Sequence, residues 1–564
     1  MRKHFLLAAA LGLSTAVLAQ PTVPAPASGK VKIKTKPGRN AAPADAPATA
    51  DATPTDWSLP YAATITPDAL KADLSVLASD AYEGRETGAK GQKMAADYIA
   101  KAFAADGLAG PVKDSDNPYI QHFTMNRVSV DPATSVVIKG KTYVLGKDFY
   151  ALADGKYATA APVTPTFVGY GIGAEGYSDY AAAGNLKGKD LVMLLGEPLT
   201  KAGKPLLAKG DEPSPYGTPG MGELMGRVPS LRTAQPASVF MIEPTAAAFA
   251  EVPKLMSQIF GEEQMEFADA KPPRGQNLFV VSPELGAALL GTTPAGLAKY
   301  GQSVAAAGQP VASPFKPVTA TVHAVKKRVP FTTENVLGYL EGSDKKDEIV
   351  VISAHYDHLG IKNGVVFNGA DDDGSGTVSV LAMARAFTQA KKDGHGPRRS
   401  LLFLANVGEE EGLLGSQYYT DHPIFPLENT VTDLNIDMVG RVDKEHEGKG
   451  DYVYLVGDDK LSSELHTLSE ATNQQYNPVA LDYKYNDPAD PEHIYYRSDH
   501  YNFAKHKVPV IFYTSGLHAD YHKETDDVDK IDFPAMARRD QLVFHTAWAL
   551  AQRDARVVVD SAKP

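Results

Sequence analysis

The stretch "EIVVISAHYDHLG", Glu348 to Gly360, is an apolar run that ends in a polar loop, and "FNGADDDGSGTVSV", Phe367 to Val380, follows shortly after it. The apolar run predicts a strand buried on both faces of a sheet. The second stretch predicts a tight, glycine-flanked turn that opens a helix. Because adjacent carboxylates repel one another, three aspartates held in one turn raise the question of whether a cation shares the site.

Apolar runs and helical patterns also follow one another along the rest of the chain. Apolar runs such as "SLLFLANV" and "VPVIFYTS" alternate with amphipathic segments up to the closing pattern "PAMARRDQLVFHTAWALAQR". Continuous apolar strands separated by helices indicate a sheet that is covered on both faces. We therefore expect an α/β fold with a mostly parallel, mixed sheet sandwiched by helices.

The composition changes along the chain and divides it into segments. A basic start, an apolar run and small residues up to Ala19 predict a signal peptide, cleaved after Ala19. A Pro/Ala-rich stretch follows and cannot bury enough apolar surface to fold alone. Short β-prone runs between two helix-and-strand regions predict an inserted β-rich domain. The expected segments are signal peptide 1–19, flexible leader 20–60, first part of the main domain 61–159, insert 160–321 and second part of the main domain 322–555.

Composition also excludes several classes of protein. The 564 residues contain no cysteine, which excludes disulfides, thiolate metal sites and cysteine catalysis. The formal net charge is -12 and no Lys/Arg stripe occurs, so nucleic acid is not expected as a partner. After the signal, no run approaches the roughly 20 apolar residues of a membrane span, so stable membrane insertion is not expected. We expect a secreted or periplasmic protein.

Candidate metal ligands recur where predicted strands end. In open α/β sheets, ligands bind beyond the carboxyl ends of the strands, and imidazole and carboxylate are the ligands that zinc takes when thiolate is absent. Each motif alone has an ordinary interpretation, since "HYDH" suits a polar loop, "DDDGSG" a helix cap and "EEEG" a solvated helix start. Their joint occurrence favours a metal site. The residues concerned are His355, Asp357, Asp371, Glu409, Glu410, Glu411, Asp437 and His522.

Five motifs, in order along the chain, resemble the dinuclear-zinc exopeptidase family that includes bacterial leucine aminopeptidase and glutamate carboxypeptidase. They are "SAHYDHLG", "NGADDDGSG", "GEEEGLLGS", "LNIDMVG" and "DYHKETDD". The resemblance covers roughly residues 66–159 and 325–551. Within the insert, "FVGYGI" and "NLKGKDLVMLLGEP" resemble the protease-associated domain that some family members carry.

The resemblance implies two zinc ions per chain. One would be held by His355 and Asp437, the other by Glu410 and His522, and Asp371 would bridge both. It also implies a cis peptide between Asp371 and Asp372.

The resemblance further implies roles for residues around the metals. Glu409 would be the general base, in a register set by Gly412 and Gly415, although a shift by one residue would make Glu410 the base. Asp357 would accept a hydrogen bond from His355, and Tyr521 would stabilise the oxyanion. Asp499 and Asp526 fit supporting positions.

These residues predict an exported metallo-aminopeptidase acting on peptides. A carboxypeptidase of the same fold is the nearest alternative; it would need an arginine in the cleft, for which Arg85, Arg441 and Arg497 are candidates. A receptor-like protein without metals would be expected to lose ligands, which this chain retains. A single-zinc glutaminyl cyclase is disfavoured because both His355 and Asp437 are present.

Substrate selection is expected to involve the aromatic and acidic segment "LDYKYNDPADPEHIYYRSDH", Leu481 to His500. This segment is longer than a simple connection requires. We predict that it forms part of the substrate rim, with a surface ornament as the alternative, and that the insert restricts access to short peptides.

Overall fold

The structure is a computed structural model that describes residues 56–561, apart from 153–154, 182, 209–213, 218–220, 261–262, 271–276 and 477. The predicted signal peptide, 1–19, and most of the predicted leader, 20–60, lie outside the described residues. The end of that leader is helical from Ser58, because Asp56 accepts hydrogen bonds from the Ser58 backbone and side chain. Within the described ranges, none of the helices combines the length and apolarity needed to cross a membrane.

The helices flank the sheets and connect their strands. In chain order they are α1 (Ser58–Ala62), α2 (Pro67–Leu77), α3 (Lys90–Asp106), α4 (Met221–Ala234), α5 (Ala246–Phe260), α6 (Pro283–Leu289), α7 (Pro294–Ala307), α8 (Gly376–Lys392), α9 (Leu414–Asp421), α10 (Ser463–Tyr476), α11 (His500–Lys505) and α12 (Phe533–Gln552). The predicted helices on both sides of "EGRETGAKG" are α2 and α3.

The strands in the first half of the chain are β1 (Ile120–Val130), β2 (Ser135–Ile138), β3 (Lys141–Val144), β4 (Phe149–Leu152), β5 (Ala161–Val163), β6 (Thr166–Phe167), β7 (Gly173–Ala174), β8 (Tyr177–Ser178), β9 (Asp190–Leu194), β10 (Ser238–Ile242), β11 (Gln264–Phe267) and β12 (Asn277–Val281). Those in the second half are β13 (Ala320–His323), β14 (Lys326–Leu340), β15 (Lys345–His355), β16 (Gly360–Lys362), β17 (Val365–Phe367), β18 (Arg399–Asn406), β19 (Thr430–Ile436), β20 (Tyr452–Val456), β21 (Ala480–Asp482) and β22 (Val510–Thr514).

The largest sheet has nine strands in the order β11-β1-β14-β18-β15-β19-β22-β20-β21. Its four central strands, β18, β15, β19 and β22, are mutually parallel. Antiparallel pairs join this centre to β14 on one side and to β20 on the other. The predicted mixed sheet is therefore confirmed, with its parallel part at the centre.

Helices cover both faces of this sheet, as the continuous apolar strands predict. Along β15, Val350 and Ile352 face a core that α2, α3, α8 and α12 complete. The alternate residues Ile349 and Val351 face a second core that includes residues of α9 and α11. Because successive side chains of a strand point to opposite faces, a strand buried on both sides must be apolar throughout.

The insert folds around sheets of its own. One has five strands in the order β4-β12-β10-β9-β6, and another has four in the order β3-β2-β13-β5. Strands β2 to β4 were expected in the first part of the main domain. In the structure they pair with strands of the insert. The insert therefore begins near residue 131 instead of 160, and α4 to α7 give it substantial helix. Its resemblance to a protease-associated domain stays a prediction.

One strand of the insert returns to the large sheet. Strand β11 pairs antiparallel with β1, so that Phe267 lies opposite Met125. Phe267 also lies near the stacked pair of Phe123 and Tyr418, with ring centroids about 6.1 Å away. The insert is thus attached to the large sheet by backbone hydrogen bonds as well as by its two chain connections.

A buried acid on α12 gives stability a specific pH dependence. Asp540 is fully buried, and burial raises the pKa of its carboxyl group to about 8, against an ordinary value of 3.8. Between these values the folded chain keeps a proton that the unfolded chain releases, so this group destabilises the fold increasingly as pH rises. We expect the melting temperature of Asp540→Asn, relative to wild type, to rise between pH 4 and pH 8.

Thermal unfolding of both proteins across that pH range measures the effect. A lost hydrogen bond would shift the two curves by a constant amount, so the change in the difference with pH is the informative quantity. A difference independent of pH would contradict the assignment.

Candidate metal centre

The predicted site residues meet at one edge of the large sheet. His355 ends β15, Asp437 follows β19, Glu409 and Glu410 follow β18, and His522 lies beyond β22. Because these four strands are parallel, their carboxyl ends lie side by side. The strand-end ligands predicted from sequence are therefore neighbours in space.

Two groups of metal-ligating side chains form at this edge. The first comprises His355, Glu409 and Asp437, with His355 Nε2 3.8 Å from Glu409 Oε2 and 3.7 Å from Asp437 Oδ1. The second comprises His358, Asp372 and Glu410. His522 adjoins the second group, since its Nε2 lies 2.9 Å from Asp372 Oδ2 and 3.1 Å from Glu410 Oε2.

Asp372 joins the two groups. Its Oδ1 lies 3.3 Å from His355 Nε2 while its Oδ2 faces His522. The bridging position predicted for Asp371 is thus occupied by Asp372, and the cis peptide joins Asp372 to Asp373 instead of Asp371 to Asp372. Both corrections are the same shift by one residue, because three identical side chains in a row leave the register of the turn open.

The other two aspartates of the turn hold protein groups. Asp371 accepts a hydrogen bond from the Gly440 backbone at 2.6 Å and lies 3.2 Å from His518 Nε2. Asp373 accepts hydrogen bonds from the backbone N–H groups of Gly376, Met438 and His355. Three adjacent acids are therefore tolerated because each faces a different set of donors.

The aspartate turn and His358 lie so close to residue 369 that this position requires glycine. Gly369 has φ +56°, and a Cβ atom there would lie 2.2 Å from the Asp372 carbonyl oxygen and 2.4 Å from the His358 ring. Any other residue would force the turn away from His358.

Sequence reasoning missed His358. Its Nδ1 lies 2.8 Å from Glu410 Oε1, so Glu410 presents one oxygen to His358 and the other to His522. The signal was present in the motif "HYDH", whose second histidine follows the end of the same strand.

Asp357 supports the site differently from the prediction. The imidazole of His355 lies closest to the backbone carbonyl oxygen of Asp357, at 3.2 Å from Nδ1, while the carboxylate is 3.6 Å away. The carboxylate instead accepts hydrogen bonds from the Thr87 hydroxyl and the Glu409 backbone. Asp357 therefore connects the loop carrying His355 to the loop carrying Glu409.

The two remaining supporting aspartates also hold neighbouring loops. Asp526 accepts hydrogen bonds from the backbone N–H groups of Asp371 and Asp372. Asp499 accepts one from the Ser416 hydroxyl at 2.5 Å. Asp526 therefore holds the aspartate turn, and Asp499 holds the start of α9.

A buried chain of hydrogen bonds orients Asp437. The Ser498 hydroxyl donates to Asp437 Oδ2 at 2.6 Å, and the Asn435 amide donates to Ser498 at 2.8 Å. Behind them, the Ser353 hydroxyl lies between Asn435 and Asp433. Because Oδ2 is engaged, Asp437 presents Oδ1 to His355.

The charges of the cluster favour a cation. Burial alone lowers the pKa of His522, but Glu410 and Asp372 outweigh burial and raise it to about 10. Burial raises the pKa of Glu410, but His522 opposes this and brings it to about 2. The pKa of Glu409 is raised well above its ordinary range by burial. The cluster therefore attracts positive charge, which protons or a metal ion can supply.

The geometry also fits zinc. His355 Nε2, His522 Nε2, Asp372 Oδ2 and both Glu410 carboxylate oxygens are buried and form no hydrogen bond within the described part of the chain. Ligands about 2.1 Å from a tetrahedral zinc ion lie roughly 3.4 Å apart, and the contacts above span 2.9 to 3.8 Å. Unpartnered nitrogen and carboxylate oxygen atoms at this spacing suit a divalent cation.

A cleft opens onto the cluster, and Asp372, Glu409 and Asp437 form part of its lining. The other lining residues are Met438, Tyr485, Ile494, Arg497, Phe512, Thr514, Gly516, Leu517 and Tyr521. Three of these, Tyr485, Ile494 and Arg497, come from the segment predicted to form the substrate rim, and none of the described lining residues belongs to the insert.

Comparison with known proteins identifies the region that carries this centre. Residues 335–547 match the model of Peptidase family M28. A probable zinc metalloprotease from Pyrenophora teres f. teres (strain 0-1) is 27% identical over 287 residues, which are 42% of this chain and 56% of that protein. Aminopeptidase YwaD from Bacillus subtilis (strain 168) is 36% identical over 111 residues, 19% of this chain and 22% of that protein.

A solved aminopeptidase structure, from Aneurinibacillus sp. strain AM-1, superposes with a TM-score of 0.49 and 16% identity, covering 89% of this chain and 98% of that one. The sequence matches reach just over half the length of the fungal relative and less than a quarter of the bacterial one. The family match includes every residue of both ligand groups and His522. Over residues 335–547, this chain is therefore similar to peptidase family M28.

Proposed function

We propose that this protein is an exported zinc aminopeptidase that removes single residues from the amino ends of peptides. The observation that carries the proposal is a pair of buried ligand groups, joined by Asp372, beside a cleft lined by both apolar and polar side chains. Export is proposed from the signal-like residues 1–19 alone.

In this proposal each zinc ion has its own histidine and carboxylate. His355 and Asp437 would hold one ion, Glu410 and His522 would hold the other, and Asp372, which faces both histidines, would be a ligand shared by the two. His358, whose Nδ1 lies 2.8 Å from Glu410 Oε1, serves to orient Glu410. Buried partners of metal ligands commonly fix the ligand's orientation in this way.

The bound ions would lower the pKa of a water molecule and polarise the substrate carbonyl. Glu409, which lines the cleft and lies beside His355 and Asp437 in the first ligand group, takes a proton from the attacking water. The water oxygen bonds to the carbonyl carbon, the carbon–nitrogen bond breaks, and Glu409 returns the proton to the leaving amine. The hydroxyl group of Tyr521 donates a hydrogen bond to the carbonyl oxygen as negative charge develops there.

The cleft suits an apolar terminal residue. Met438, Ile494, Phe512 and Leu517 line it, and Tyr485 adds an aromatic wall. Burial of an apolar side chain against these groups would supply most of the binding free energy.

A carboxypeptidase remains the second candidate because an arginine lines the cleft. Of the three arginines considered from sequence, Arg85 is buried among backbone carbonyl groups and Arg441 pairs with Asp520. Arg497 lines the cleft, and its guanidinium group could bind a terminal carboxylate.

The first experiment combines a metal count with one substitution. We expect about two zinc ions per chain and hydrolysis of amino-acid p-nitroanilides that ceases after chelation and returns with zinc. In Glu409→Gln, loss of the base should lower kcat on the order of 10³-fold while the zinc content stays unchanged. Atomic absorption and steady-state kinetics measure the two quantities.

Substrates with blocked ends distinguish the two candidates. An aminopeptidase should cleave leucyl-glycine amide and leave N-acetyl-leucyl-glycine intact, and a carboxypeptidase should do the reverse. Two zinc ions without cleavage of either substrate would contradict the proposed function.

The register of the aspartate turn can be tested directly. Asp372→Asn should lower the zinc content strongly, because one residue faces both histidines. Asp371→Asn should retain zinc, because that side chain faces Gly440 and His518. Zinc content after dialysis is the measurement, and loss of zinc from the Asp371 variant alone would restore the original register.

The chain of hydrogen bonds behind Asp437 predicts an effect at a distance from the metals. Ser498→Ala frees Asp437 Oδ2 and should weaken zinc binding by about 10–100-fold, measured by competition with a chromogenic chelator. Ser416→Ala is the matched control, because Ser416 is equally buried but donates to Asp499. Equal losses in both variants would assign the effect to general loosening of the core.

A further inference from the structure

Tyr521 reaches the cleft from the loop that carries His522. Its ring stacks on the His522 imidazole, with centroids 3.9 Å apart and planes inclined by 25°. Together with Glu409 and Asp372, its side chain lines the cleft. The stacking fixes the plane of the ring but leaves the hydroxyl hydrogen free to rotate.

Arg497 determines where that hydrogen can go. Its Nη2 donates a hydrogen bond to the Tyr521 hydroxyl oxygen at 3.1 Å. A guanidinium group has donors and no acceptor, so the tyrosine oxygen can only accept in this contact. The Tyr521 hydrogen must therefore point away from Arg497, and within the described residues no protein group accepts it.

We infer that Arg497 is a positioning residue that keeps the hydroxyl hydrogen of Tyr521 directed into the cleft, ready to donate to the carbonyl oxygen of the bond being cleaved. This inference rests on the proposed function. It assigns the cleft arginine to the chemistry of the carbonyl group instead of to recognition of a terminal carboxylate.

The loop before Arg497 holds the guanidinium group in place. Arg497 Nη1 donates to the Glu492 backbone carbonyl at 3.4 Å and lies 3.8 Å from the Glu492 carboxylate. Asp490, itself buried, accepts hydrogen bonds from the backbone N–H groups of Glu492 and Ile494. The rim segment therefore places Arg497 as well as the apolar wall of the cleft.

Positive charge at this position constrains how a substrate can lie in the cleft. A free substrate amine is cationic at neutral pH and is repelled by Arg497, whereas the carbonyl oxygen gains negative charge during attack and is attracted. Arg497 therefore favours substrates whose carbonyl, and not whose ammonium group, lies beside Tyr521.

A double-mutant cycle tests the inference on the zinc-loaded full chain. We expect Tyr521→Phe to lower kcat about 10²–10³-fold and Arg497→Met to lower kcat with little change in KM. In the Tyr521→Phe background, Arg497→Met should add less than about a threefold loss, because its target is gone. Tyr496→Phe, which changes an exposed tyrosine beside Arg497 that does not line the cleft, is the control background in which Arg497→Met should keep its full effect.

Binding of the phosphonic acid analogue of leucine gives a readout without turnover. Calorimetry should show its affinity falling in parallel in Arg497→Met and Tyr521→Phe, while the affinity for leucine stays nearly constant. Zinc content and melting temperature identify any variant that has lost its fold, and Arg497→Lys then replaces Arg497→Met.

Two results would overturn the inference. One is an Arg497→Met effect that is undiminished in the Tyr521→Phe background. The other is an effect confined to substrates with a free terminal carboxylate, which would make Arg497 a carboxylate anchor. An inactive wild-type enzyme would instead contradict the proposed function, so the two failures are distinguishable.

Discussion

The contact of Asp372 with two imidazoles is the constraint around which the centre is built. One oxygen faces His355 and the other faces His522, so the aspartate turn must lie between the ends of β15 and β22. Burial would raise the pKa of Asp372, but the two imidazoles hold it well below its usual range. Most neighbouring features, including Gly369 and the backbone contacts of Asp373 and Asp526, serve to keep that carboxylate between its partners.

The sequence predicted the fold and most of the centre because both follow from short-range patterns. An apolar run followed at once by His355 or Asp437 marks the carboxyl end of a central strand, and parallel strands bring such ends together. The aspartate turn was displaced by one residue because hydrophobic patterning and glycine spacing cannot distinguish three identical neighbours. Contacts across the turn decide the register, and these depend on tertiary structure.

Other features could not be obtained from the pattern for related reasons. Strands β2 to β4 are short and resemble strands of either domain, so only their pairing shows that they belong to the insert. The position of Arg497 depends on a long irregular loop that Asp490 orders through backbone contacts. The orientation of Asp437 depends on Ser498 and Asn435, which lie far apart in sequence and look like ordinary polar core residues.

Strand β11 of the insert also covers the edge of the large sheet, because it pairs with β1. Without it, β1 would be an edge strand, with a row of backbone donors and acceptors open to pairing with another chain. The insert thus shields a surface that could otherwise promote aggregation, and its Phe267 packs near α9, the helix that follows Glu409 and Glu410. Exchange of this insert between relatives would succeed only where the incoming domain carries a strand able to close the same edge.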